Sequence, residues 1–127
     1  MAKAGMPFGE LIGVDVVERD KSKVVGRLTV RDELCTSGDI LHGGAVMAFA
    51  DTLGAIGASL NLRPGQGTTT IESKTNFLGG ARLGETITAE TTPLHIGRRS
   101  SVWTTRVTNP DGKLLAVVTQ TQMVLEG

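Results

Sequence analysis

The chain has 127 residues, which suit one domain covering residues 1–127, with a substantial core, and are too few for two. Its 13 Lys and Arg residues balance its 13 Asp and Glu residues, so no overall charge would attract nucleic acid or an anionic membrane. Cys35 is the single cysteine, which excludes an internal disulfide and is typical of the cytoplasm, where we expect the protein. The N-terminal segment lacks the pattern of a signal peptide, and no apolar run reaches the ~18 residues of a membrane span.

The N-terminal third predicts a short helical segment and a β-hairpin. Residues 6–11 are apolar but interrupted by a proline and a glycine, which favours a brief helical turn. β-Branched runs at residues 13–18 and 23–30 alternate in part, and the polar residues between them indicate a hairpin. Residues 31–41 show no regular pattern.

A long helix follows, from residue 43 to about residue 60. Its apolar and small side chains recur at helical spacing; they include Ala45, Val46, Ala48, Phe49, Thr52, Leu53, Ile56 and Leu60. The helix is apolar on nearly all sides, which a sheet covering one face does not explain. We therefore expect a second copy of the chain to cover its other side.

Four more strands are predicted after the helix, at residues 68–78, 85–94, 99–108 and 113–125. An Asp-Gly pair in the last connection is a good hairpin signal. Two strands before one long helix and four after it predict an α+β fold, in which an antiparallel six-stranded sheet wraps around a central helix.

Asp51 is the one charged residue of this helix. Burying an unpaired carboxylate is costly, so its position needs a reason, and reaction chemistry supplies one. His42, Gly43 and Gly44 stand at the start of the same helix, with Asp51 nine residues after the histidine.

With this order of elements, the His-Gly-Gly start and the helical acid resemble the hotdog-fold acyl-CoA thioesterases, in particular the phenylacetic-acid-degradation and 4-hydroxybenzoyl-CoA types. Residues 75–78 with 81–85 are similar to a strand and turn of that family, and residues 97–100 to its next turn. The resemblance covers almost the whole chain. It implies a dimer as the smallest catalytic unit, often a tetramer, and no metal or redox cofactor, since coenzyme A enters as part of the substrate.

Cleavage of a thioester needs a hydrogen-bond donor for the carbonyl oxygen and a base or nucleophile near the carbonyl carbon. Amides at a helix start lack helical acceptors, and the resemblance assigns the donor role to the Gly43 amide. Asp51 is then the nucleophile or the general base, two roles that the sequence does not separate. The structural alternatives are a tight glycine turn and an Asp51 paired with a buried Arg or with a neighbouring hydroxyl such as that of Thr52. His42 either donates to the acyl group or holds the helix start.

Gly43 and Asp51 are eight residues apart. That is ~12 Å along a helix at ~1.5 Å per residue, more than an Asp side chain spans. One chain therefore cannot place both groups on a single carbonyl. Two helices packed antiparallel across a two-fold axis would bring Gly43 of one copy to Asp51 of the other, in two equivalent sites.

Two hydroxyl groups are further candidates for the catalytic site. The family commonly has Asn or Gln six residues before the histidine, where this chain has Thr36, or Ser37 after a slip of one residue. A hydroxyl reaches less far than an amide, which affects substrate type and efficiency more than fold. Thr70, or alternatively Thr69, matches a strand hydroxyl that positions water in some members; ordinary packing on the sheet is the other interpretation.

Residues suited to bind coenzyme A lie at the helix start and at turns; they are Gly44, Gly80, Arg82, Arg98, Arg99 and Ser100. Arginines bind phosphates well, and the run Arg98-Arg99-Ser100 is the best candidate phosphate site. The glycine turn at residues 79–80 would let the pantetheine arm pass. Solvated surface arginines are the alternative, and Trp103 is expected in the core.

These observations predict a homo-oligomeric thioesterase that hydrolyses an aryl-, arylacetyl- or medium-chain acyl-CoA to the free acid and CoA at a dimer interface. An acyl-thioester dehydratase or hydratase on the same fold is a weaker prediction, because His42 and Asp51 have thioesterase spacing. A non-catalytic acyl-CoA-binding protein would account for Thr36 in place of an amide. Neither nucleic acid nor a membrane is an expected partner.

Overall fold

A computed structural model describes residues 5–127 of the chain. The helices and strands in that range are α1 (Pro7–Ile12), β1 (Asp15–Asp20), β2 (Lys23–Thr29), β3 (Cys35–Thr36), β4 (Ile40–Leu41), α2 (Gly43–Leu60), β5 (Gly67–Phe77), β6 (Thr86–Ile96), β7 (Ser100–Thr108) and β8 (Leu114–Leu125). The predicted helices and the six long strands are confirmed, with boundaries that move by two residues or fewer.

Two connections differ from the sequence prediction. Residues 31–41 contain a single 3-10 turn and the small hairpin of β3 and β4, where no regular structure was expected. The first hairpin is also tighter than expected, because β1 pairs as far as Asp20. The Asp20 carboxylate accepts hydrogen bonds from the hydroxyl and the N–H of Ser22, which close the turn and lower the pKa of Asp20.

The six long strands form one antiparallel sheet in the order β1-β2-β6-β7-β8-β5. Helix α2 lies across one face of this sheet and contacts all six strands. The predicted α+β architecture, one long helix against a six-stranded antiparallel sheet, is therefore confirmed, and it is the hotdog arrangement that the family resemblance implies.

The face of α2 toward the sheet carries large apolar side chains and glycines. Phe49 and Leu53 are completely buried. At Gly57, a Cβ atom would lie only 2.8 Å from the ring of Trp103, so glycine lets that ring pack directly under the helix. Trp103 is completely buried, as predicted, and its indole N–H donates to Ser101 Oγ at 2.8 Å.

Helix α2 also has the length and composition of a membrane span. It has 18 residues and a mean hydropathy of 1.3, although Asp51 lies within it. This finding differs from the sequence expectation that no segment would reach that length. Half of the helix is buried inside the fold, and the central helix of a compact domain meets the same criteria.

Candidate active site

The start of α2 holds two amides that are used differently. His42 is the N-cap residue, with extended backbone angles (φ −60°, ψ 136°), and its Nδ1 accepts a hydrogen bond from the Gly44 N–H at 2.7 Å. The Gly43 N–H has no acceptor among residues 5–127. The helix dipole also places partial positive charge here, so the Gly43 amide is a donor available to an anionic or carbonyl oxygen.

An apolar cavity lies beside Gly43. It measures about 180 Å³ and is lined mainly by aliphatic side chains from α2 and the sheet, among them Val46, Ile87, Val107 and Leu115. The Phe77 ring forms another wall and lies against the Gly43 backbone, about 3.2 Å from where a Cβ would stand. An uncharged, apolar group is the natural occupant of such a space.

Asp51 is partly buried on the side of α2 that meets the edge strand β5. Its Oδ1 accepts a 2.6 Å hydrogen bond from Thr70 Oγ1, and Oδ2 has no partner among the described residues. The neighbouring hydroxyl that pairs with Asp51 is therefore that of Thr70, whereas the Thr52 hydroxyl donates to the Ala48 carbonyl at 2.7 Å. No arginine forms an ion pair with Asp51 within residues 5–127. The carboxylate therefore keeps one oxygen free for chemistry.

A β-bulge in β5 places a second hydroxyl beside this carboxylate. The pairing of β5 with β8 passes from Thr70 opposite Gln122 to Glu72 opposite Thr121, which leaves Ile71 as the extra residue. Thr70 and Ser73 consequently line the same cleft of about 280 Å³ as Asp51. Ser73 Oγ is buried and has no hydrogen-bond partner among the described residues.

Gly43 and Asp51 are separated within the protomer, as predicted. Thr70, near one end of β5, bonds Asp51, whereas Phe77, at the other end of that strand, lies against Gly43. Eight residues of helix separate the two groups, ~12 Å at ~1.5 Å per residue. The structure does not bring them to one point within a single chain.

Thr36, Gly80 and Arg82 gather near the Gly43 end of the site. Thr36 is exposed in the β3–β4 hairpin. Backbone bonds join that hairpin to the turn containing Gly80 and Arg82, from Leu41 N–H to the Ala81 carbonyl (2.8 Å) and from the Leu83 N–H to the Asp39 carbonyl (2.9 Å). The turn also forms part of the cavity beside Gly43.

The other basic candidates lie at the opposite end of the sheet. Arg98 and Arg99 are exposed in the turn between β6 and β7, which is followed by Ser100. Ser100 pairs with Met123, which pairs with Thr69, next to the threonine that bonds Asp51. Within one chain, Arg98 and Arg99 are therefore far from Arg82.

Cys35 and His42 line a common pocket near the start of α2, but they do not form a cysteine nucleophile. Burial raises the pKa of the Cys35 thiol, and the carboxylates of Asp39 and Asp32 raise it further. The thiol is then protonated at neutral pH, and only the thiolate is a good nucleophile. Within residues 5–127, no group of three or more His, Cys, Asp or Glu side chains is arranged to hold a metal ion.

Sequence reasoning overlooked three polar residues around Asp51: Ser73, Gln120 and Gln122. The two glutamines, on β8, are almost fully buried, and Gln120 donates to the Ala50 carbonyl of α2. The sequence does contain a sign of the two glutamines. The inward positions of a strand should be apolar, and β8 has glutamine at two consecutive inward positions.

A family model described as Thioesterase superfamily matches residues 38–116 of the chain. Among curated relatives, 1,4-dihydroxy-2-naphthoyl-CoA hydrolase of Listeria monocytogenes is 30% identical over 112 residues, which cover 88% of this chain and 90% of that protein.

Solved structures are also similar to this chain. A thioesterase from Haemophilus influenzae superposes with a TM-score of 0.85 at 27% identity, over 91% of this chain and 80% of that one. A protein from Streptococcus mutans bound to acetyl-CoA superposes with a TM-score of 0.84 at 25% identity, over 90% of each chain.

Proposed function

Because this chain belongs to the thioesterase superfamily and is a thioester hydrolase, we propose that it hydrolyses acyl-CoA esters with an apolar acyl group, at a site that two copies of the chain build together. The observation that carries the proposal is the separation of a free helix-start amide, at Gly43, from a free carboxylate oxygen, at Asp51, along one helix. Two antiparallel copies of α2 would unite them.

The uncovered face of α2 supports this pairing. Met47, Ala48, Asp51 and Ala55 recur at helical spacing and are half-exposed or exposed. Three of the four are apolar, and the two alanines would let a second helix approach closely. A second copy of α2 would cover this apolar face and would enclose Asp51 at the same time.

The edge of the sheet beside α2 supports the same partner. β5 is an edge strand of 11 residues, hydrogen-bonded to β8 on one side, and it carries the exposed Ile71. Long unpaired edge strands favour pairing with another strand. Association through β5 and α2 together would cover both features with one two-fold contact.

In the proposed reaction Asp51 acts as a general base. A water molecule in the cleft would accept a hydrogen bond from the Ser73 hydroxyl, which has no other described partner, and would give one proton to Asp51 Oδ2. The water oxygen forms a bond to the thioester carbon, and the carbonyl oxygen becomes an oxyanion held by the Gly43 N–H of the second copy. The carbonyl then re-forms as the C–S bond breaks, and the thiolate takes the proton held by Asp51, which gives the free acid and CoA and returns Asp51 to a carboxylate.

The cavity beside Gly43 would receive the acyl group. Its walls are apolar and its volume of about 180 Å³ is large enough for an aromatic ring or a short alkyl chain. Of the esters expected from the sequence, the aryl and arylacetyl classes therefore fit this cavity, and a medium-chain acyl group would extend beyond it.

A dimer of this kind would also bring the separated arginines together. Arg98 and Arg99 lie at the Asp51 end of one chain, and Arg82 lies at the Gly43 end. An antiparallel partner places opposite ends side by side, so each site would receive cations from both chains. Arginine is well suited to the CoA phosphates. We further propose a cytoplasmic enzyme that needs no cofactor beyond the CoA of its substrate.

A thiol-release screen across aryl-, arylacetyl- and alkyl-CoA esters tests this function. We expect hydrolysis of at least one apolar acyl-CoA and no hydration of an enoyl-CoA. A single turnover in ¹⁸O-water should label the free acid, because the base activates solvent water directly. Unlabelled acid in the first turnover would indicate attack by the Asp51 carboxylate instead, and no thiol release from any ester would reject the proposed function.

A further inference from the structure

Asp51 stands at the end of a continuous series of hydrogen bonds that begins at the helix backbone. Gln120 Nε2 donates to the Ala50 carbonyl at 3.0 Å, and Gln122 Nε2 donates to Gln120 Oε1 at 2.6 Å. Gln122 Nε2 also donates to Thr70 Oγ1 at 2.6 Å, and Thr70 Oγ1 donates to Asp51 Oδ1 at 2.6 Å. We call these groups the Gln–Thr–Asp series.

The direction of each bond in the Gln–Thr–Asp series follows from the first. A backbone carbonyl only accepts, so the Gln120 amide must turn its nitrogen toward Ala50 and its oxygen toward Gln122. That oxygen in turn fixes the Gln122 nitrogen on the side of Thr70. The Thr68 hydroxyl shares its one proton between Gln122 Oε1, at 3.0 Å, and the Met123 carbonyl, at 3.1 Å, so it also contacts the other end of this amide.

The consequence falls on the Thr70 hydroxyl. Its oxygen already accepts a hydrogen bond from Gln122 Nε2, so its own single proton is directed to Asp51. Without the glutamine, the same hydroxyl would be free to rotate and to donate to another acceptor. Both glutamines are 1% exposed, so water does not replace these bonds.

We propose that Gln122 is a positioning residue that acts on Asp51 through Thr70. It keeps the Thr70 hydroxyl as a donor to Oδ1 and so leaves Oδ2 turned toward the cleft for the attacking water. This inference rests on the proposed function, since it concerns the base of that reaction. The Gln–Thr–Asp series places two side-chain amides in the core. Helix α2 makes room for them with Gly54, because a side chain at that position would collide with Gln120.

A double-mutant cycle tests the proposal, using Thr70→Val, Gln122→Met and the double variant. Each single change should lower kcat about tenfold, the loss of one well-oriented hydrogen bond, and leave the KM for the acyl-CoA within about twofold. Because Gln122 acts through Thr70, the double variant should be no slower than Thr70→Val.

Thr105→Val is the matched control. Thr105 is completely buried in the same sheet and shares a hydrogen bond of 2.7 Å with Thr91, with no link to Asp51. It should lower the thermal midpoint and leave kcat unchanged. A merely structural role for Gln122 would lower the thermal midpoint in the same way without a Thr70-dependent loss of kcat.

Multiplied losses in the double variant, about a hundredfold, would overturn the proposal, and so would a wild-type kcat in Gln122→Met. If Gln122→Met does not fold, the same cycle is run with Gln120→Met, which frees the Gln122 amide to turn. A wild-type kcat in Thr70→Val, with Asp51→Asn inactive, would reject the Gln–Thr–Asp series and keep the proposed function. An active Asp51→Asn would remove Asp51 from the mechanism, and the Gln–Thr–Asp series with it, while the hydrolysis of acyl-CoA would stand.

Discussion

Nδ1 of His42 accepts the hydrogen bond of the Gly44 N–H at 2.7 Å, and this one contact gives the first two amides of α2 different roles. The Gly44 amide is used within the fold, so any contact of Gly44 with CoA would not involve its N–H. The neighbouring amide, of Gly43, is left free among the described residues. The sequence left two roles open for His42, donation to the acyl group or holding the helix start. The structure shows the second.

Loss of the His42 cap should destabilise the protein. We expect His42→Ala to lower the free energy of unfolding by about 1 kcal/mol, because one amide of the helix start loses its acceptor. His42→Asn should recover most of this loss, since Asn is a good N-cap residue. Chemical denaturation of the three proteins measures the difference, and equal stability of wild type and His42→Ala would contradict the capping role.

Removal of the Gly43 N–H should stop catalysis while the helix persists. Proline lacks the N–H and is favoured at the first helical position, and His42 already has the extended backbone that must precede proline. We expect Gly43→Pro to lower kcat by about 100-fold or more. Gly43→Ala keeps the N–H and places the same Cβ against Phe77, so it is the matched control. Equal losses in both variants would assign the effect to the Cβ atom rather than to the donor.

Asp51→Asn should abolish thiol release while acyl-CoA binding survives, because the amide nearly retains the shape of the carboxylate but is not a base. The expected loss in kcat is about 1,000-fold or more. Thiol release gives the rate, and calorimetric titration with a slowly hydrolysed acyl-CoA analogue gives the affinity. A wild-type rate would remove Asp51 from the mechanism.

Arg99→Ala should weaken binding of a CoA ester about fivefold and leave binding of a short pantetheine thioester unchanged, because only the former carries the nucleotide phosphates. Arg106→Ala is a suitable control, since Arg106 is an exposed arginine of β7 outside the turn that holds Arg99. The ratio of the two KM values isolates the phosphate contribution. Equal losses for both substrates would argue against a phosphate role for Arg99.

The long elements were predictable because they follow from local chemistry. Helical spacing of apolar residues in α2 and β-branched runs in the strands specify regular structure without knowledge of their partners. The β3–β4 hairpin was not predictable in this way, because its two-residue strands are held by backbone bonds to the distant turn at Ala81 and Leu83.

The site was predictable only in part. Asp51 was conspicuous as a carboxylate in an apolar helix, and its partner Thr70 was among the candidates. The bulge at Ile71, which turns Ser73 toward the same cleft, depends on the pairing of β5 with β8 and leaves no clear local signal. Gln120 and Gln122 were visible as polar residues in a core strand, but their target follows only from the fold.

Subunit complementation tests the shared site most directly. Asp51→Asn and Gly43→Pro are each expected to be inactive alone, but a mixed dimer would contain one intact site, with Gly43 from the first variant and Asp51 from the second. Refolding equal amounts together makes half of the dimers mixed, so we predict recovery of about a quarter of the wild-type activity. If the mixture stays as inactive as its components although the mixed dimer forms, both groups must act within one chain, and the two-copy site is wrong.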